Sequence, residues 1–499
     1  MVLFSTLPGG LVPTPGEVRA NAMAGRAHAA ERDLPDPLAW EDYADAPRLT
    51  FEVIRRRIAE DRLPSVVCSF PLPKAWGGRT RTMSCTDELD DLVLRVLAGR
   101  CAPAVDARLR DSVVRGRVVR RPPGWRIEPW RAAHAARTET ALGWLDDGTE
   151  WFAAIDALEY FPRILPEGLV GRLRRMCAPT GAAIAIGQLL LAFSRNGGPG
   201  GLPIGSESST LLANVPLAHG DRVLAAACIP FTRLVDDTWL RPNSPEQWEE
   251  IIERYRTAVR PAGVLLHPEK TRLMQAEAGR AQVVNPVTDY VTGGGTINID
   301  AEEAAELLEA ELADDDPDGG VVRFSLGGLR RHRALAGIGI LEADPHLLDF
   351  EPKATADYLI EVLQTRKGRR RIDLDFLLER ACRPPADLTV AGQLQTARVL
   401  AVKGVNKAQG RVLADFAEKL EVRAKPPLRA WILTAWGRSR AWKPGLAVEQ
   451  AEADDQFGVR RALVGTLRTS SPSPRLAKAA VHLTTIERDL APTVEWSMS

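Results

Sequence analysis

Two regimes of hydrophobic patterning divide this chain. Up to about residue 320, short continuous apolar runs alternate with amphipathic stretches; beyond about 321, almost only helical periodicity remains. Trp151–Ile155 reads as a buried strand, Leu211–Ala227 as an apolar helix and Pro230–Leu240 as a β-hairpin. The stretch 245–260 has helical periodicity and starts behind Asn243-Ser244-Pro245, a helix-start signal. Between 41 and 150, β-like runs such as Ser65–Phe70 mix with helical patterns such as Thr86–Leu97. Residues 1–40, rich in Pro, Gly and Ala, read as an irregular arm, and 293–320, with its GGG and ADDDPDGG, as a linker or solvated helix. The later helices (Ala354–Gln364, Asp373–Ala381, Ala391–Ala401, Gln409–Leu420, Leu428–Trp436) recur at roughly 18–20 residues. A stack of helix pairs is the economical reading of that spacing.

Composition adds bounds rather than detail. At 499 residues, two or three modules are expected, and 45% hydrophobic with 26% charged residues excludes a wholly disordered, collagenous or coiled-coil chain. The six cysteines form no CxxC pair and read as reduced core thiols, not as a zinc site. No stretch reaches the ~18 apolar residues of a membrane span, so a soluble, cytoplasmic protein without membrane contact is expected. The 65 Lys+Arg balance 65 Asp+Glu, which argues against a nucleic-acid partner only if charge is evenly spread. It is not: residues 74–137 hold 14 Lys+Arg against 7 Asp+Glu, and TRKGRRR at 365–371 is a second basic cluster. Trp76, Trp125 and Trp130 lie in the first basic region, as base-stacking platforms or as core.

Three pieces carry candidate chemistry. Asp156 ends the apolar run WFAAID, GLPIGSESSTLLAN spans 201–214, and LVDDTWL spans 234–240. Acidic pairs recur elsewhere in the chain, but Asp236-Asp237 sits between two strand-like runs, where a two-residue hairpin turn projects both carboxylates. If that hairpin pairs with the strand ending at Asp156, three carboxylates converge. Such a cluster repels itself and calls for divalent cations. Two Mg²⁺ ions would serve phosphoryl transfer, activating the attacking hydroxyl and stabilising the leaving oxygen.

In order, and followed by AGVLLHPEKTRL at 262–273, these pieces resemble the reverse transcriptases, right-hand polymerases with fingers, palm and thumb. The resemblance covers about residues 60–275, with FPLPKAWGGRTRTMSCTDELDDLVLRVLAG at 70–99 similar to the fingers segment. It implies an α+β right-hand polymerase whose palm carries an antiparallel sheet, followed by an all-α helical-repeat domain. The boundaries are an arm over 1–40, fingers over 41–150, palm over 151–292, linker and thumb start over 293–330, and helical repeats over 331–499. Asp156, Asp236 and Asp237 take the catalytic and metal-ligand positions, with Mg²⁺ or Mn²⁺ as cofactor. Lys74 with Arg79 or Arg81 is placed to grip the triphosphate of a dNTP. Phe161 matches the aromatic gate against a ribose 2′-hydroxyl, with core packing beside Tyr160 as the other reading. Gly205 and Ser206 open the helix after LPIG with backbone N–H groups toward the nucleotide, and Lys270 matches the palm lysine. Two positions depart from the family pattern: Leu234 replaces an aromatic residue and Ile204 replaces a glutamine, which puts templated copying and nucleotide choice in question.

No endonuclease, RNase H or integrase pattern follows the polymerase region. A reverse transcriptase fused to helical repeats resembles the bacterial defence-associated and abortive-infection enzymes. That resemblance implies RNA-directed DNA synthesis in antiphage defence, on an RNA or DNA template-primer that includes a non-coding RNA, or untemplated and primed on a protein hydroxyl. Tyr290 and Tyr358 are the tyrosines least obviously in the core. The alternatives are a template-independent nucleotidyltransferase and a non-catalytic polymerase-like scaffold. In each case the helical domain is the expected surface for a partner protein or a second copy.

Overall fold

The computed structural model describes residues 12–32, 35–60, 62, 66–73, 80–109, 113–120, 124–196, 198, 200–284, 299–386, 389–439, 442–469 and 473–499. The chain is mixed α+β and divides into two units. The first takes Met1–His28, Phe51–Val66 and Thr86–Asn285; the second takes Ala29–Thr50, Val67–Cys85 and Pro286–Ser499. The division is interleaved along the sequence, where periodicity had suggested consecutive modules. Among the described residues, no helix is long and apolar enough to cross a membrane.

Nine strands are present among the described residues: β1 Val66–Pro73, β2 Thr80–Thr86, β3 Val114–Arg115, β4 Val118–Arg120, β5 Arg126–Ile127, β6 Trp151–Ile155, β7 Phe231–Leu234, β8 Asp237–Leu240 and β9 Arg272–Gln275. β1 pairs with β2, β4 with β5, and the remaining five form one sheet in the order β3-β7-β8-β6-β9. The run WFAAI of β6 is apolar at every position because both edges and both faces are covered. It pairs antiparallel with β8 (Ile155 opposite Thr238) and with β9 (Trp151 opposite Gln275). Phe152, Ala154 and Trp239 then meet Ala141 and Leu145 of the helix Trp130–Asp146 in one buried cluster. The helix Pro245–Val259 begins as expected, with Ser244 Oγ accepting from Gln247 N at 3.3 Å and Pro245 in the first turn.

The second unit corrects the reading of the N-terminus. The supposed irregular arm contains a helix, Pro15–Glu31, and residues 35–50 are built into the second unit. Arg461, almost fully buried, binds Asp36 (2.7 Å) and Asp42 (2.6 Å) while lying 4.3 Å from the Tyr43 ring centre. Thr493 donates to Asp42 at 2.7 Å, and the Trp431 indole donates to the Pro35 carbonyl at 2.7 Å. Buried charges persist only when paired in this way.

From residue 299 onward the described residues of this unit are helices and connections. The 293–330 stretch contains two of them, Ala301–Leu312 and Gly319–His332, packed together. Helices starting at residues 319, 352, 390, 426 and 457 pack in sequence, each against the next, with shorter helices between. Their starts lie 31 to 38 residues apart, with two further helices in each of the first three steps and one in the last, so the described residues do not repeat as simple helix pairs.

Candidate active site

The hairpin turn is displaced by one residue from its expected place. Val235 and Asp236 occupy the two-residue loop, and Asp237 is already the first residue of β8, opposite Leu234. Val235 has φ 56°, a left-handed conformation that costs a β-branched residue strain. What holds it there is buried beneath the hairpin. Arg233 Nη1 donates to the Val235 carbonyl at 2.6 Å and to Asn214 Oδ1 at 2.8 Å. Its Nε and Nη2 make a bidentate pair with Asp221 at 2.8 and 2.6 Å. Burial alone would lower the guanidinium's pKa; the charge and bonds of Asp221 more than offset this and hold it above its usual value.

Asp156 is fixed through its backbone. Its N–H donates to Thr271 Oγ1 at 3.3 Å, and its carbonyl accepts from Thr271 Oγ1 at 3.2 Å and from His267 N at 2.8 Å. The turn HPEKT therefore folds over the end of β6 and delivers Lys270 to Asp156, Nζ to Oδ2 at 3.3 Å. The neighbouring loop brings Asp236 into the same field. Burial first, then the charges of Asp156 and Asp237, push the Asp236 carboxyl up to about 6, with Lys270 pulling the other way. Asp237 is engaged differently: its Oδ2 lies 2.6 Å from Nη1 of the buried Arg137, whose guanidinium sits 3.7 Å from the Trp239 ring centre. The fold thus gathers Asp156, Asp236 and Lys270, and gives Asp237 a cation of its own. No three His, Cys, Asp or Glu side chains among the described residues form a ready-made metal cage. Two carboxylates nonetheless fit Mg²⁺, which takes one or two of them and completes its octahedron with water and substrate phosphate.

The remaining expected residues are distributed as follows. Lys74, Arg79 and Trp76 lie outside the described residues, and Arg81 is on β2 of the second unit. Phe161 is half-buried in the short helix Tyr160–Arg163, edge-on to Tyr160 at 5.7 Å between ring centres. Its carbonyl receives Leu202 N at 2.8 Å, so the LPIG segment is tied to the Phe161 turn. A Cβ on Gly201 would meet the carbonyl oxygens of Phe161 at 2.5 Å and Ile164 at 2.6 Å. Gly201→Ala is therefore expected to cost about 1–3 kcal/mol, since the obstructing atoms are backbone; chemical denaturation measures it.

Gly205 is exposed with φ 111°, and Ser206 caps the helix Glu207–Ala226. The first two amides of this helix, those of Glu207 and Ser208, have protein partners. Ser208 N donates to Ser206 Oγ at 3.1 Å and Glu207 N to His28 Nε2 at 3.1 Å. Ser206 Oγ in turn donates to Asp91 at 2.8 Å. Ser206→Ala should lower stability by about 1 kcal/mol, the usual worth of a cap, read as a shift in denaturation midpoint.

Other expectations fail on burial. Tyr358 is fully buried with its hydroxyl donating to the Ala334 carbonyl at 2.6 Å, so it offers no priming hydroxyl. Tyr43, Tyr160 and Tyr255 are buried as well, and Tyr290 lies outside the described residues. Trp125 is core, closed over Gly99 and Arg95. Arg137, Arg233 and Asp221 were missed. Arg233 and Asp221 left a faint signal, a charge inside an apolar strand and an apolar helix, which requires a buried partner; Arg137 left none.

No protein-family model matches the sequence, and no curated protein matches it. Among solved structures, a telomerase from Candida albicans in complex with the TWJ fragment of telomeric RNA is similar at 10% identity and a TM-score of 0.29. The match covers 73% of this chain, which spans 64% of that one.

Proposed function

We propose that this chain is a divalent-cation-dependent nucleotidyltransferase that builds DNA from dNTPs, a reverse transcriptase of the bacterial antiphage type. One observation carries the reading: Asp156 and Asp236, 80 residues apart in sequence (236 − 156), are delivered to the same end of the antiparallel strands β6, β7 and β8, in a sheet whose edge strand β3 runs parallel to β7, beside Lys270. A bound pair of Mg²⁺ or Mn²⁺ ions supplies activation of the attacking hydroxyl and stabilisation of the leaving oxygen. Asp156 and Asp236 would hold the cations. Lys270, the counter-ion of Asp156 without them, is placed to meet substrate phosphate. The sequence resemblance supplies the polymer, the nucleic-acid template-primer and the defence setting, with the stacked helices of the second unit as a partner surface.

The test is incubation of purified protein with labelled dNTPs, Mg²⁺ or Mn²⁺, and RNA or DNA primer-templates. Extension that requires the cation and is lost in D156N supports the reading. Absence of product with every template and cation, or product unchanged in D156N, sinks it. Ile204 in place of glutamine specifically favours relaxed template use. Product sequencing decides this: a copy of the supplied or co-purified RNA means templated synthesis, and a homopolymer means untemplated addition.

A further inference from the structure

Resting on that reading, we infer that the β4–β5 pair and the start of the helix Trp130–Asp146 form a cradle for single-stranded nucleic acid leading to the carboxylates. The paired arginines Arg120 and Arg126 would meet a phosphate, and Trp130 would take an unpaired base.

The helix supplies the line. Residues 130, 134 and 137 are spaced four and three apart, so they share one face. At the inner end Arg137 is buried against Asp237. At the outer end Trp130 is 61% exposed, with His134 between, its ring 6.2 Å from that of Trp130 and tilted 43° to it. His134 lies close enough to the hairpin that the Asp237 charge acts on it, although burial and Arg137 together hold its pKa down. Seven residues of helix rise about 10 Å, roughly three nucleotide steps of 3.4 Å. A strand whose end lies at Asp156 and Asp236 therefore reaches Trp130 within a few bases.

Two independent features mark this end as a ligand surface. A tryptophan buries about 150–250 Å² when packed, and here most of the Trp130 ring is left in water. Directly upstream, Arg120 and Arg126 are register partners across β4 and β5. Like charges placed opposite one another destabilise a strand pair, and Glu207, 3.7 Å from Arg126, offsets only one of the two. A phosphate between the arginines removes that cost. Cations that follow the backbone, with an aromatic ring for the base, are the combination that binds single strands without sequence preference. A protein segment gains from the ring but has no reason to need the paired cations.

Fluorescence anisotropy of the full chain with a labelled 20-nucleotide single strand, and with the same strand made abasic, tests the cradle. W130A should weaken binding of the normal strand by about 5- to 100-fold, the worth of one stacked base, and leave the abasic strand unaffected. W130F should stay within about threefold. R120A should weaken both strands alike and lower the salt dependence by about one counterion. Unchanged affinity of W130A for the normal strand, an equal loss on the abasic strand, or no binding by the wild type overturns the inference. So does a lowered melting temperature of W130A, which would show the ring packing within the fold. The polymerase reading is judged separately, by D156N extension: its failure with the W130A effect intact, or the reverse, assigns the fault to one of the two.

Discussion

Asp236→Asn should abolish nucleotide incorporation while leaving the protein folded, and more stable than the wild type when no cation is present. The activity loss is expected at about 10³-fold or more. A catalytic cation contributes several kcal/mol of transition-state stabilisation, and each 1.36 kcal/mol is tenfold in rate. Single-turnover extension with saturating dNTP and Mn²⁺ reads the loss; a rate within tenfold of wild type would exclude Asp236 from holding the cation. The gain in stability follows from the same environment. A carboxyl raised from 3.8 to about 6 disfavours its charged form in the folded state. That penalty is absent below pH about 4, grows as pH rises to about 6, and is constant above it. At pH 7 in EDTA the variant should be more stable by about 1–3 kcal/mol, and the difference should close as pH falls from 6 to 4. A destabilised D236N at pH 7 would show that the carboxylate is paired rather than repelled.

The largest loss of stability is expected at Arg233. Arg233→Ala removes one partner of a buried, bidentate ion pair and leaves Asp221 charged without compensation. Breaking a buried pair from one side costs about 3–5 kcal/mol, a large part of any domain's stability. It also releases the Val235 carbonyl, so the turn carrying Asp236 loses the bond that keeps it in a left-handed conformation. The double variant R233M/D221L separates these effects. Replacing both ions by apolar groups should recover most of the stability, measured by urea denaturation, yet extension should remain at least tenfold low because the turn is still unpinned. Full recovery of extension in the double variant would mean that Arg233 serves only the core.

Much of the site's local frame was legible in the sequence. The five apolar residues of β6, the hairpin of β7 and β8 and the helix after LPIG follow from run length, turn composition and capping residues, all short-range signals. Asp156 and Asp236 could be singled out as candidates because each sits at the end of such an element. The turn was read one residue late because an Asp-Asp pair is a better loop by propensity than Val-Asp. Arg233, buried below the loop, decides otherwise. The buried tyrosines and Trp125 were illegible for a related reason: a single aromatic gives no sign of which neighbours will close over it.

The sequence by itself determined the elements that frame the site, β6, the β7–β8 hairpin and the helix after LPIG, and their order. Only the tertiary structure decided which acidic residue is already spent. Arg137, 100 residues before Asp237 (237 − 137), reaches it through the packing of a helix on the sheet, and periodicity records no such pairing. The same holds for residues 35–50, whose Asp36 and Asp42 join the second unit through Arg461, more than 400 residues away. Periodicity reports which face of an element avoids water. The partner that a buried charge will find is set by long-range packing, and there the cost of leaving that charge alone selects the answer.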